Sequence, residues 1–223
     1  EILNIDQSLL PEEKYVVPPE LNSFEMIKPF KQLKDFQFPV TVKAKEKLKN
    51  TAARFVIQMP TGSGKTRVAM EVICEFIKNY NQGVKILWLA HQKELCAQSY
   101  DCFVEVWSHL NDRELTLYRL WNDGDIVSLP KNLAKNSFII ANFQKIYSEL
   151  CRDENHYNNL KDIIDLIIID EAHKAIAPTY KFVTNALASI NTKIVGLTAT
   201  PGRSITDSES NRSLAVFFHS EII

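Results

Sequence analysis

Five short apolar runs punctuate the chain: Arg54–Gln58, Lys85–Ala90, Phe138–Ala141, Leu166–Ile169 and Lys193–Leu197. Their apolar positions are continuous rather than alternating, which predicts strands buried on both faces, in a parallel sheet covered by helices. Helical periods lie between them. After the first run, Val68, Ala69, Val72, Ile73, Phe76, Ile77 and Tyr80 recur at three- and four-residue intervals until Asn81-Gln82-Gly83 stops the helix. After the second, Leu95, Cys102, Phe103, Val106, Trp107 and Leu110 mark one side of another helix. A shorter helix is predicted over Phe38–Thr51, with Val40, Ala44 and Leu48 four residues apart. The expected fold class is α/β, one domain with a central parallel sheet and helices on both faces.

Polar and proline-rich stretches set the boundaries. Pro11, Pro18, Pro19 and Pro29 break any long helix in residues 1–30, read as a lead-in, and leave residues 31–223 as the domain. Asn122-Asp123-Gly124-Asp125 reads as a turn, and the polar, serine-rich Gly202–Ser213 as a mobile loop.

Composition changes this picture in three ways. With 26 basic and 27 acidic residues the net charge is −1, so any nucleic-acid contact has to be local. Cys74, Cys96, Cys102 and Cys151 form no CxxC pair and have no histidine at zinc-finger spacing, which predicts free thiols in a reducing cytoplasm. No apolar run approaches the ~20 residues of a membrane span and no signal peptide opens the chain, so no membrane partner is expected. The first residue is Glu1 rather than Met, from which a longer parent protein is expected.

The chemistry gathers at two strand ends. Met59-Pro60-Thr61-Gly62-Ser63-Gly64-Lys65-Thr66 joins the first strand to its helix. There Gly62 and Gly64 can turn backbone N–H groups toward phosphate oxygens, and the helix N-terminus adds its partial positive charge. Lys65 is placed to reach the β and γ phosphates of ATP, and the Thr66 hydroxyl to ligate magnesium. Met59 stands where the general phosphate-loop pattern has its first glycine. The second strand end is Asp170-Glu171-Ala172-His173, where a buried strand delivers two carboxylates to the edge of the sheet that binds ligands. Asp170 would bind magnesium and Glu171 would polarise the attacking water.

Taken together and in order, these segments resemble the first RecA-like domain of the superfamily 2 helicases and translocases. The likeness is to the DEAH-containing branch, nearest the helicase subunits of type I and type III restriction enzymes and related DNA-repair helicases, and it spans Leu33–Ile223. Met-Pro-Thr-Gly-Ser-Gly-Lys-Thr is common in that branch, so Met59 is no departure from it. Leu33-Lys34-Asp35-Phe36-Gln37 resembles the adenine-reading Q segment, with Gln37 on the base. Leu87–Leu95 with Gln98 resembles motif Ia, and Ala141-Asn142-Phe143-Gln144 a later strand-end motif. The resemblance thereby assigns nucleic-acid contacts to His91, Gln92 and Asn142. Gly196-Leu197-Thr198-Ala199-Thr200-Pro201 resembles motif III, whose strand lies between the phosphate-loop and DEAH strands, which sets His173, Thr198 and Thr200 side by side for coupling.

The resemblance implies a P-loop NTPase with ATP and magnesium as cofactors, Thr61–Thr66 around the phosphates, and a helicase or translocase that favours DNA over RNA. An RNA helicase, or a P-loop switch or transport ATPase without nucleic acid, are the alternatives. It also implies a second RecA-like domain as partner. Only 23 residues follow Thr200, too few for a domain of ~100 residues, so this chain alone is expected to hydrolyse ATP weakly or not at all. Leu214–Phe218 reads as its closing packing segment.

Overall fold

The computed structural model describes residues 30–80, 82–122, 133–153, 158–175, 177–200 and 208–223. The chain divides into two units, Glu1–Lys31 and Gln32–Ile223, and every described helix and strand belongs to the second. In chain order these are α1 (Gln37–Leu48), β1 (Arg54–Gln58), α2 (Lys65–Asn79), β2 (Lys85–Ala90), α3 (Lys93–Leu110), β3 (Thr116–Leu120), β4 (Ser137–Asn142), α4 (Phe143–Arg152), α5 (Asn158–Lys161), β5 (Leu166–Asp170), α6 (Pro178–Leu187), β6 (Lys193–Thr198) and α7 (Ser208–Phe217). The strands of the described residues form one parallel sheet in the order β1-β6-β5-β2-β4-β3.

Continuous apolar runs become a two-faced sheet because successive side chains leave a strand on opposite sides. Phe55, Ile57, Ile86, Trp88, Phe138 and Ile140 belong to the core shared with α1, α2 and α3. Their intervening neighbours Val56, Leu87, Leu89, Ile139 and Ala141 belong to the core shared with α4, α6 and Phe218. The predicted α/β class is therefore the observed one, and β6 lies between β1 and β5 as the resemblance implied.

Elements unread in the sequence surround this frame. β3 escaped because it is an edge strand: Thr116 and Arg119 are exposed and Leu120 alone is buried, so no continuous apolar run marks it. Asn142-Phe143-Gln144, readable as a helix entry or as a contact segment, opens α4, while α5 and α6 carry no comparable sequence signal. The expected loop Gly202–Ser213 is corrected in part, since Ser208 onward is helical; Leu214 and Phe218, four residues apart, anchor α7 against the sheet. Residues 201–207, the turn at 123–125 and the lead-in up to residue 29 lie outside the described residues. Beyond α7 the chain returns to the open edge of β1. Val56 N donates to Glu221 O at 2.9 Å, Ile223 N to Val56 O at 2.9 Å, and Gln58 N to Ile223 O at 2.9 Å. These bonds cover strand-edge groups that would otherwise be unpaired, and a Lys47–Glu221 ion pair ties the tail to α1.

Among the described residues the cysteines are free; Cys74 and Cys96 are buried, while Cys151 is exposed. No helix of the described residues is long and apolar enough to cross a membrane.

Candidate functional site

The loop from Met59 to Gly64 is shaped by backbone that only glycine adopts cheaply. Gly62 and Gly64 have φ of 75° and 87°, the left-handed region, which costs roughly 1–2 kcal/mol for other residues. Ser63 N donates to Pro60 O at 3.2 Å, and Met59 N to Thr198 O at 3.1 Å, which fastens the loop to β6. Thr61 and Gly62 are exposed, and Ser63, Gly64, Lys65 and Thr66 are half-buried at the start of α2. Behind the loop stands Gln37, 5% exposed and first in α1. Its Nε2 donates to Ser63 O at 2.7 Å, while its Oε1 accepts from Lys34 N at 2.9 Å. A Cβ on Gly64 would come within 2.4 Å of that Nε2, so a side chain here would have to push Gln37 off Ser63 as well as adopt an unfavourable φ. A carboxamide offers two donors and two lone pairs, so one of each remains to Gln37 after these bonds.

Asp170 closes β5 with the same parity as Leu166 and Ile168, and so faces the side of the sheet occupied by α2. It is 7% exposed. Burial first, then the charge of Glu171, pushes its carboxyl up to about 6; the Glu171 N–H at 3.0 Å and the charges of Lys65 and Lys174 oppose this. A carboxylate held this way gains from any cation brought against it. The Asp170 carboxylate and the Thr66 hydroxyl are both hard oxygen donors, the type magnesium takes alongside water and phosphate oxygens. No cage of three or more His, Cys, Asp or Glu stands among the described residues.

Glu171 has φ 55° and ψ 53°, a non-glycine residue in the left-handed region, and that bend turns the chain directly into a 3-10 turn at Ala172–Lys174. His173 Nδ1 lies 3.3 Å from Thr198 Oγ1 and 3.2 Å from Glu171 Oε2. Thr198 Oγ1 already donates to Thr200 O at 2.7 Å and accepts from Thr200 N at 3.2 Å. A hydroxyl has one proton, so the His173 contact requires Nδ1–H as donor, between the threonine and the glutamate. His173, Thr198 and Thr200 are thus brought together beside Glu171, as the resemblance implied. Gly196 makes this possible: a Cβ there would meet Ala172 Cβ at 2.6 Å and Phe218 Cζ at 2.7 Å.

The ends of β2 and β4 form a second cluster. Asn142, 7% exposed, donates from Nδ2 to His91 O at 3.1 Å and accepts Lys145 N on Oδ1 at 3.2 Å as the N-cap of α4. The side chain assigned to a strand contact thus shapes the loop, in the cap role its residue type favours. Gln92 is exposed and stands at the N-cap of α3 without a side-chain cap bond. His91 Nδ1 lies 3.4 Å from the hydroxyl of Tyr180, and burial together with the charge of Lys174 lowers the basicity of its ring. Tyr180, in the first turn of α6, stacks on Phe143 with ring centres 3.6 Å apart and planes 7° from parallel. Sequence reasoning missed Tyr180, a lone tyrosine with no local signal, and quoted Gly196 as the start of the motif III segment without its packing role against Ala172 and Phe218.

Comparison with known proteins places this geometry among relatives. The family described as type III restriction enzyme, res subunit, matches residues 30–203. Putative helicase 22 of Sulfolobus islandicus filamentous virus is 31% identical over 157 residues, covering 69% of this chain and 25% of the viral protein. The probable ATP-dependent DNA helicase HFM1 of Homo sapiens is 31% identical over 154 residues, covering 65% of this chain and 10% of that protein. Among solved structures, the Pyrococcus furiosus Hef helicase domain superposes with a TM-score of 0.63 at 26% identity, over 85% of this chain and 37% of that one. The chain thus spans a quarter or less of the length of these two curated relatives.

Proposed function

This chain belongs to the type III restriction enzyme res-subunit family and is the first RecA-like domain of a superfamily 2 helicase; from that premise we propose that it is the ATP-binding half of an ATP-dependent helicase or translocase acting on DNA. The observation that carries the reading is β6 standing between β1 and β5. With strands ~4.8 Å apart, the phosphate loop and the acid box end about 10 Å from each other, the span of a triphosphate and its metal.

In this reading Thr61–Thr66 cradle the phosphates, and Lys65 neutralises charge on the β and γ groups. Thr66 and Asp170 are the magnesium donors; the metal, when bound, offsets phosphate charge. Glu171 holds and polarises the attacking water, its left-handed backbone aiming the carboxylate away from the strand it follows. Gln37 offers its remaining donor and acceptor to the base. His173, Thr198 and Thr200 connect Glu171 to β6 and to Met59, so a change at the phosphates is felt at the acid box. His91, Gln92 and Asn142 form the strand-end region facing the nucleic acid, where backbone contacts give salt-dependent, largely sequence-independent binding.

A second RecA-like domain completes the site in the intact protein, and its arginines are worth ~10³- to 10⁵-fold in turnover; this chain alone is expected to turn over ATP weakly. DNA is favoured over RNA because relatives of similar identity are described as DNA helicases. Buried free thiols at Cys74 and Cys96 suit a cytoplasmic location. The test is ATP hydrolysis by the full-length protein with duplex DNA, single-stranded DNA, RNA or no nucleic acid, with Lys65→Ala as the inactive control. Stimulation by DNA is expected. Stimulation by RNA alone would make it an RNA helicase, and indifference to all three would make it a switch or transport ATPase.

A further inference from the structure

Tyr180 is 4% exposed, and its hydroxyl contact with His91 is part-buried. Burying an O–H without an acceptor costs about 1–3 kcal/mol, and the partner within reach is His91 Nδ1 at 3.4 Å. The ring is held in place independently of that bond, by its stack on Phe143 and by Tyr180 N donating to Ala177 O at 2.9 Å. A hydroxyl donating to Nδ1 goes with an imidazole that carries its proton on Nε2. The backbone of the same histidine is fixed from the other side, where Asn142 Nδ2 donates to His91 O. Tyr180 lies ten residues beyond Asp170 and so joins the acid-box segment, the β2–α3 loop and the start of α4.

Resting on the nucleic-acid reading above, we propose that Tyr180 is a positioning residue for strand binding. Its hydroxyl holds His91 as the Nε2–H tautomer, so that the β2–α3 loop offers a neutral N–H donor, not a cation, to a phosphate oxygen of the bound strand. The lowered basicity of His91 agrees with a neutral ring.

A neutral donor and a cation differ in one measurable respect. Only a cation releases a counterion on contacting phosphate, so removing a cation flattens the salt dependence of binding by about one unit of log–log slope, and removing a neutral donor leaves it unchanged. The experiment measures binding of the full-length protein to fluorescently labelled single-stranded DNA, its duplex and the RNA of the same sequence across a salt series. The proteins are wild type, Tyr180→Phe, His91→Ala and the double variant; Tyr180→Phe keeps the stack on Phe143 and a thermal melt checks its fold.

Each single variant is expected to weaken binding about five-fold, the double variant no more than the weaker single one, and the salt slope is expected to hold throughout. Wild-type binding by Tyr180→Phe, effects that multiply in the double variant, or a slope shallower by one in His91→Ala each overturn the proposal. Should Tyr180→Phe not fold, imidazole ¹⁵N shifts of the wild-type protein decide the matter: an unprotonated Nδ1 supports it and a protonated Nδ1 overturns it. Failure of the wild type to bind any of the three nucleic acids overturns the functional reading itself, whereas wild-type binding that Tyr180→Phe leaves untouched overturns this proposal alone.

Discussion

The two halves of the sheet's ligand-binding edge are built on opposite plans. Around β1, β6 and β5 the backbone turns through the left-handed region, at no cost at Gly62 and Gly64 but with strain at the non-glycine Glu171, and the Asp170 carboxyl is buried beside a like charge. Around β2 and β4 the side chains satisfy one another, Asn142 capping α4 and holding His91 O, and Tyr180 reaching the His91 ring. Strain and like-charge repulsion persist only where surrounding structure enforces them, and a cation brought against the two carboxylates would offset their repulsion. A self-satisfied cluster gains nothing comparable from a ligand; what it supplies is a fixed shape. The first half is therefore where chemistry is expected, and the second where a surface is held for a partner.

The largest effect expected of this contrast is on turnover. Glu171→Gln keeps the shape of the turn but removes the base, and should lower ATP hydrolysis by the full-length protein about 10²- to 10⁴-fold, with the melting temperature little changed; near-normal turnover would show that the strained turn serves packing alone. Next is the buried acid. Because the folded-state pKa of Asp170, about 6, lies above its ordinary value, the native chain binds the proton more tightly than the unfolded chain. Its ionisation therefore costs stability above that pH and the cost disappears as pH falls toward the ordinary carboxylate range. Asp170→Asn keeps an acceptor for Glu171 N–H and should stabilise the protein by about 3 kcal/mol near pH 8 and by well under ~1 kcal/mol near pH 4, read from denaturant unfolding across pH. A gain independent of pH would point to some cause other than the buried charge.

Gly196→Ala tests how tightly the acid box rests on β6. Its Cβ must displace Ala172 or Phe218, and the expected loss is about 1–3 kcal/mol, with a melting temperature lower by ~2–4 °C for each. The smallest effect belongs to the self-satisfied half. Asn142→Ala should cost about 1 kcal/mol through the lost α4 cap and leave ATP hydrolysis without nucleic acid unaltered to within a factor of about two, since its partners are His91 O and Lys145 N and it touches no residue of the acid box. A loss of turnover as large as that of Glu171→Gln would erase the distinction between the halves.

The sequence by itself determined the strands that are buried on both faces, because short continuous apolar runs bounded by turns and alternating with helical periods fit a covered parallel sheet, and it determined the phosphate loop and acid box, because glycine, lysine and paired carboxylates at strand ends are local chemistry. It did not yield β3, whose exposed edge needs no apolar run, nor the start of α7 at Ser208, although Leu214–Phe218 was legible as a packing segment. The resemblance implied that β6 lies between β1 and β5, but tertiary structure alone decided that Gly196 makes room for Ala172, that Gln37 stands behind Ser63, and that Tyr180 reaches His91 across 89 positions of chain. Local periodicity encodes burial, whereas the pairing of distant side chains depends on strand order and packing, which no short segment contains.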